Sequence, residues 1–150
     1  MNILGIDPGP HALGWCNIYD DGHQFGTLDL REEWALADLR AKIAWADVVY
    51  CESYRPREFL QGDGPKTAEV IGQIAAACQA AGKRLEMVDH VTWRTWASTI
   101  AAHLMFCPDK PVPDCRLHMR GDGSLRGDHA DEAFWIAKWG WSHEGGPNVG

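Results

Sequence analysis

Residues 3–10 read ILGIDPGP, an apolar run that stops at an aspartate and a Pro-Gly turn. A short apolar run bounded by turn residues predicts a buried strand, here over residues 2–7, with Asp7 at its end. The segment that follows predicts a second strand over 12–19, and the Asp21-Gly22 pair predicts a hairpin. The chain is therefore expected to begin with strands that run back and forth beside one another.

Hydrophobic periodicity predicts the remaining elements. Further strands are expected over 23–30, 47–54 and 85–88, and helices over 32–46, 66–81, 92–106 and 128–141. Two long segments rich in Pro, Gly and charge, 55–65 and 107–127, are expected to be loops, and the tail from about 142 to 150 is expected to be disordered. The order predicts an α/β fold in one domain, 1–150, whose mixed five-stranded sheet has three antiparallel strands and then two parallel ones, flanked by helices.

Composition limits the class of protein. The chain has 150 residues, 45% hydrophobic and 23% charged, an ordinary globular mixture for one domain. It has no apolar run near the roughly 20 residues of a membrane span and no signal-peptide pattern at its start, so a cytoplasmic protein is expected. Five cysteines at scattered positions favour buried reduced thiols over a disulfide framework.

The formal net charge of −7 argues against nucleic acid as a partner, because phosphate neutralisation dominates that kind of binding. An enzyme that gathers carboxylates around divalent cations is, however, acidic without its metal and gains positive charge with it. The acidity therefore weighs against a nucleic-acid enzyme without excluding one.

Four acidic residues stand where predicted strands and one helix end or begin: Asp7, Glu52, Asp128 and Asp131. Asp7 and Glu52 close strands, and the other two lie three apart, on one face of the last helix. Converging carboxylates repel unless hard cations lie between them, and two Mg²⁺ ions about 4 Å apart can activate water and stabilise the leaving oxygen of a phosphodiester. Taken singly, each has a structural explanation: a turn at Asp7, an ion pair of Glu52 with Arg55 or Arg57, and a helix N-cap at Asp128 with Asp131 at the N3 position.

The same motifs resemble those of the RuvC-type Holliday junction resolvases, which have the RNase H-like fold. Residues 3–15 resemble the opening motif of that family, in which an aspartate ends the first strand and a glycine marks the second. Tyr50-Cys51-Glu52 is similar to the family's second motif, Gly72-Gln73 to its Gly-Gln pair, and residues 128–133 to its closing acidic motif. All occur in the expected order along nearly the whole chain.

The resemblance implies a homodimeric endonuclease that binds four-way DNA junctions and cuts two strands symmetrically with Mg²⁺ or Mn²⁺. It implies catalytic and metal-binding roles for Asp7, Glu52, Asp128 and Asp131, and His129 is a candidate auxiliary residue because some relatives have a histidine in the last motif. The short chain would suit a phage-encoded resolvase. Residues 90–127 do not resemble the basic region of the family, and this departure bears on junction specificity more than on nuclease chemistry.

Two segments are candidates for DNA contact because basic residues stand beside aromatic ones or beside the acidic set. The candidate DNA-binding residues are Tyr54, Arg55, Arg57, Phe59, Lys66, Arg116, Arg120 and Arg126. A solvated, charged loop is the alternative for each segment. Trp34, Trp45, Trp135 and Trp139 fall at core-like helix positions, and Trp93 and Trp96 suit core packing better than a DNA or dimer face.

A further set, His103, Cys107, Cys115 and His118, has the residue types of a structural zinc site. Its spacing matches no known zinc module, and unrelated side chains around a loop are the more ordinary interpretation.

Several functions remain open at this point. A flap or fork nuclease would keep the chemistry and change the substrate, and a junction-binding module would lack cleavage. The acidic set disfavours the second, because pure binding gains nothing from crowded carboxylates. A phosphate-handling ATPase of the actin or hexokinase type also opens with Asp-x-Gly, but that fold needs two duplicated domains, for which 150 residues are too few.

Overall fold

The structure is a computed structural model that describes residues 1–53, 64–106, 118–119, 125–126 and 129–146. In chain order its elements are β1 (Ile3–Pro8), β2 (Ala12–Tyr19), β3 (Gly22–Asp29), α1 (Ala35–Trp45), β4 (Val48–Glu52), α2 (Gly64–Ala80), β5 (Arg84–Val88), α3 (His90–Phe106), β6 (His118–Met119), β7 (Leu125–Arg126) and α4 (His129–His143). Among the described residues, no helix combines the length and apolarity needed to cross a bilayer.

The main sheet has five strands in the order β3-β2-β1-β4-β5. β1 pairs antiparallel with β2, and β2 with β3, whereas β4 runs parallel to both β1 and β5. The predicted mixed sheet, three antiparallel strands followed by two parallel ones, is confirmed. This order puts β1 and β4, the strands that carry Asp7 and Glu52 at or next to their last residues, side by side at the centre.

Two hydrophobic cores lie on opposite faces of the sheet. One face packs against α3 and α4, through residues such as Trp93, Phe134 and Ile136. The other packs against α1 and α2, through residues such as Leu39 and Ile74. Because successive side chains of a strand alternate between faces, a buried central strand has apolar residues on both sides. The result is a three-layer α/β/α arrangement.

The first helix differs from its prediction. It begins at Ala35, three residues later than expected, and buries Ala35, Leu39 and Ile43 at intervals of four. Trp34 precedes its first turn and is 54% exposed, and Trp45 lies two positions beyond Ile43, on the outer side, and is 47% exposed. The prediction that these two tryptophans are core residues is wrong, whereas Trp93 and Trp135 are buried as expected.

The last part of the chain also differs in detail. Within the predicted loop 107–127, β6 and β7 form a short antiparallel pair. α4 continues to His143 instead of ending at residue 141. Glu144, just beyond α4, accepts a hydrogen bond of 2.7 Å from the Tyr50 hydroxyl. It also forms an ion pair with Arg84. The described start of the predicted tail is thus held against the sheet. Cys16, Cys51 and Cys78 are buried free thiols, as predicted.

Candidate functional site

Asp7 and Glu52 lie next to each other at the ends of the two central strands. The parallel pairing of β1 with β4 runs from Ile3–Val48 to Ile6–Cys51, so the next residue of each strand is Asp7 and Glu52. Alternation puts both side chains on the face that packs against α3 and α4, the face of Ile3 and of Val48. The observed register therefore makes the two carboxylates neighbours across the central strand pair.

Two glycines allow α4 to approach this edge of the sheet closely. Gly14 is paired with Asp7 across β1 and β2, and a Cβ at Gly14 would overlap the backbone carbonyl of His129. A Cβ at Gly5 would collide with the backbone of Ala133 in the same helix. Because neither glycine has a side chain, the first turn of α4 lies directly on the sheet beside Asp7.

Asp7, His129 and Glu132 form a compact set of metal-ligating types. One ligand atom from each lies within 4.8 Å of the others, and His129 Nδ1 is 2.5 Å from Asp7 Oδ2. His129 and Glu132 are three apart in the first turn of α4, so their side chains share one helix face. Asp7 itself is buried, while the other two are partly exposed. The set thus joins the sheet edge to the helix end.

The charges of this set suit a cation. Burial raises the pKa of Asp7 from its ordinary value of 3.8 to about 8, and repulsion from Glu132 and Glu52 adds to the rise, while the contact with His129 opposes it. The carboxyl group is difficult to ionise because it is buried among other carboxylates. Oxygen donors in such number are the ligands that Mg²⁺ and Mn²⁺ prefer, and imidazole also suits Mn²⁺ and its neighbours in the series. The residues therefore fit a divalent cation.

α3 contributes contacts that the sequence did not predict. Both carboxylate oxygens of Glu52 accept hydrogen bonds from the first turn of α3. Oε1 lies 2.8 Å from His90 Nδ1, and Oε2 lies 2.9 Å from Trp93 Nε1. Arg94, the next residue, forms an ion pair with Glu132. The sequence signal for these contacts is the position of His90 two residues after the end of β5, a strand that neighbours β4, which brings it to the same edge of the sheet.

The other predicted site residues are placed as follows. Asp131 lies in α4 between His129 and Glu132 but is not a member of the compact set found among the described residues. Lys66 is exposed near the start of α2, and Arg126 lies in β7. Outside the described residues lie Asp128, Tyr54, Arg55, Arg57, Phe59, Arg116 and Arg120.

The proposed zinc ligands are likewise only partly covered. His103 lies in α3 and His118 in β6, whereas Cys107 and Cys115 lie outside the described residues. The zinc site remains a prediction from the sequence.

Comparisons with known proteins bear on the fold. No protein-family model matches the sequence, and no curated protein matches it either. Among solved structures, the chain is similar to RuvC of Thermus thermophilus in complex with a Holliday junction substrate, with a TM-score of 0.62 and 16% identity over 97% of this chain and 96% of that one. It is also similar to another structure of Thermus thermophilus RuvC, with a TM-score of 0.56 and 16% identity over 97% of each chain. Because this likeness extends over the whole length and includes the mixed sheet, the chain has a RuvC-like form of the RNase H-like fold.

Proposed function

We propose that this chain is a structure-selective DNA endonuclease that resolves four-way junctions by metal-dependent hydrolysis of phosphodiesters. The observation that carries the proposal is the convergence of Asp7, Glu52, His129 and Glu132 at one edge of the central strands. Support also comes from the fold, because one similar structure is that of RuvC bound to a Holliday junction substrate.

Within this site, Asp7, Glu132 and His129 would hold a divalent cation, with Glu52 beside them on the neighbouring strand. A cation bound there supplies positive charge to a scissile phosphate and its leaving oxygen. Asp7 is the buried member of this set, and the first turn of α4 packs directly on the sheet beside it. Asp128 and Asp131, proposed from the sequence motif, form a competing assignment for the helix-borne ligands.

DNA contact and assembly complete the proposal. We infer that the basic and aromatic residues of segments 54–66 and 116–126 contact the phosphates and an unpaired base at the branch point. These residues are Tyr54, Arg55, Arg57, Phe59, Lys66, Arg116, Arg120 and Arg126. Symmetric cutting of two strands requires two active sites, so we propose a homodimer.

The test is cleavage of a labelled synthetic four-way junction beside a linear duplex and a flap of matched sequence, each with Mg²⁺, Mn²⁺ or EDTA. Paired symmetric nicks that are confined to the junction and need metal are expected, together with a sedimentation mass of two chains. Cutting of the flap in preference to the junction would support the proposed active site but would make the flap, and not the four-way junction, the substrate. If the folded protein binds the junction but cuts no DNA with either metal, the nuclease proposal fails and the chain is a junction-binding module.

A further inference from the structure

We propose that the first turn of α3 belongs to the active site, with His90 and Trp93 as positioning residues that hold the Glu52 carboxylate in place for the cation. Each of them donates a hydrogen bond to a different oxygen of Glu52, at 2.8 Å from His90 Nδ1 and 2.9 Å from Trp93 Nε1. An ionised carboxylate can only accept, so the contact puts the proton of His90 on Nδ1.

Glu52 needs such support because of its place in the fold. It is the last residue of β4, and its side chain has several rotatable bonds that would otherwise sample many rotamers. The backbone is already held, since Ser53 N donates to Val88 O at 2.8 Å. Two donors on the two oxygens then restrict the side chain, and each oxygen retains a lone pair for a cation. Groups behind a ligand that fix its orientation in this way commonly strengthen metal binding by about 10- to 100-fold.

The start of α3, which makes these contacts, has packing and polar contacts of its own. The Asp89 side chain caps the helix by accepting a hydrogen bond of 2.9 Å from Val91 N, and Trp93 is only 1% exposed. Arg94 in the same turn forms an ion pair with Glu132 of α4. The start of α3 therefore contacts the carboxylate that ends β4 and a carboxylate in the first turn of α4. We infer that it sets the distance between the two.

The chain offers matched controls for both residues. Trp135 is a buried tryptophan whose indole N–H has no hydrogen-bond partner among the described residues, so Trp135→Phe removes an N–H that holds nothing. His143, at the far end of α4, makes an Nδ1 contact of 2.8 Å to the carbonyl of Trp139. His143→Ala therefore removes a comparable histidine contact about 20 Å along the helix from His129.

The role toward the metal rests on the proposed function, so the experiment reads metal binding and cleavage separately. Calorimetric titration with Mn²⁺ alone is expected to give Kd values about 10-fold weaker for His90→Ala and Trp93→Phe than for wild type. His90→Asn, whose amide nitrogen can take the place of Nδ1, is expected to restore the Kd to within about threefold. The two control variants should bind Mn²⁺ as wild type does. Junction cleavage by His90→Ala should recover at saturating Mg²⁺, because the defect lies in binding.

The outcomes distinguish this inference from the proposed function. If wild type binds Mn²⁺ and the variants follow the expected order, but no DNA is cut, the positioning role stands and the nuclease proposal fails. If wild type cuts junctions and His90→Ala binds Mn²⁺ as tightly as wild type, the positioning role is overturned. Wild type that binds no Mn²⁺ overturns it as well. His90 is partly exposed, so its variant remains informative even if Trp93→Phe fails to fold.

Discussion

His129 Nδ1 and Asp7 Oδ2 lie 2.5 Å apart, although 122 positions separate the two residues in the chain. The contact joins the end of the first strand to the first turn of the last helix, and it depends on Gly14, which leaves room for the backbone of His129. The candidate site is thus assembled by the packing of α4 on the sheet. Changes to the carboxylates, to their protonation and to this packing should therefore have separable effects.

Asp7→Asn is expected to lower junction cleavage by at least about 100-fold, because loss of a ligand should exceed the loss of a group that only orients one. Binding of the junction should remain within about threefold of wild type, since it depends mainly on contacts to phosphates. Rates of junction nicking in Mg²⁺ measure the effect on cleavage. Gel-shift titrations of the junction in Ca²⁺ or EDTA measure the effect on binding. Cleavage at the wild-type rate would remove Asp7 from the site.

The contribution of Asp7 to the stability of the metal-free protein should fall as the pH rises from about 4 to about 8. The folded-state pKa of Asp7 is raised to about 8 by burial and by neighbouring carboxylates, against an ordinary value of 3.8. Across this interval the unfolded chain has lost the Asp7 proton while the folded protein retains it, so the stabilisation present at low pH is lost as the pH rises.

Thermal unfolding in EDTA checks this prediction by comparing wild type with Asp7→Asn. The variant lacks the buried acid, so its Tm relative to wild type should increase between pH 5 and pH 8, by about 3 °C or more if the effect reaches about 1 kcal/mol. Mg²⁺ should raise the Tm of wild type at pH 8 more than that of the variant, because a ligand that binds the folded state stabilises it. Parallel pH profiles of the two proteins in EDTA would contradict the assignment.

Glu132→Gln and Asp131→Asn separate the two assignments of the helix-borne ligands. Glu132 belongs to the compact set with Asp7 and His129, so its substitution is expected to weaken Mn²⁺ binding by about 10-fold or more and to slow cleavage. Asp131→Asn should stay within about threefold of wild type in both measurements. The reverse order would favour the motif-based choice of Asp128 and Asp131.

Part of this site could be predicted from the sequence because it depends on local patterns. The bounds of β2 match the predicted strand 12–19, and Asp7 and Glu52 could be located because each follows an apolar run. Such runs report burial on both faces of a central strand, which is a property of short segments. The mixed sheet could be predicted from the order of strands and helices along the chain.

The choice of ligands on α4 could not be predicted from local sequence patterns. Residues 128–132 offer three acids, and a shift of one residue rotates the presented face of a helix by about 100°. The close approach of α4 at Gly14 and Gly5 decides that rotation, and this contact joins segments far apart in the chain. The bonds from His90 and Trp93 to Glu52 are likewise tertiary contacts that leave no periodic signal.

Gly14→Ala should damage the site without changing the side chain of any proposed ligand. Its Cβ would overlap the carbonyl of His129, so α4 must shift away from β2, at a cost of about 1–3 kcal/mol in the free energy of unfolding. Since His129 and Glu132 move with the helix, Mn²⁺ affinity and junction cleavage should both fall at temperatures where the variant is still folded.

Gly72→Ala is the matched control, because Gly72 lies exposed in α2 with no atom near its would-be Cβ. Alanine at this position should stabilise the helix by up to about 1 kcal/mol. Chemical denaturation and Mn²⁺ calorimetry on both variants test the pair. A Gly14→Ala protein that loses stability but binds Mn²⁺ like wild type would show that the helix position does not control the site.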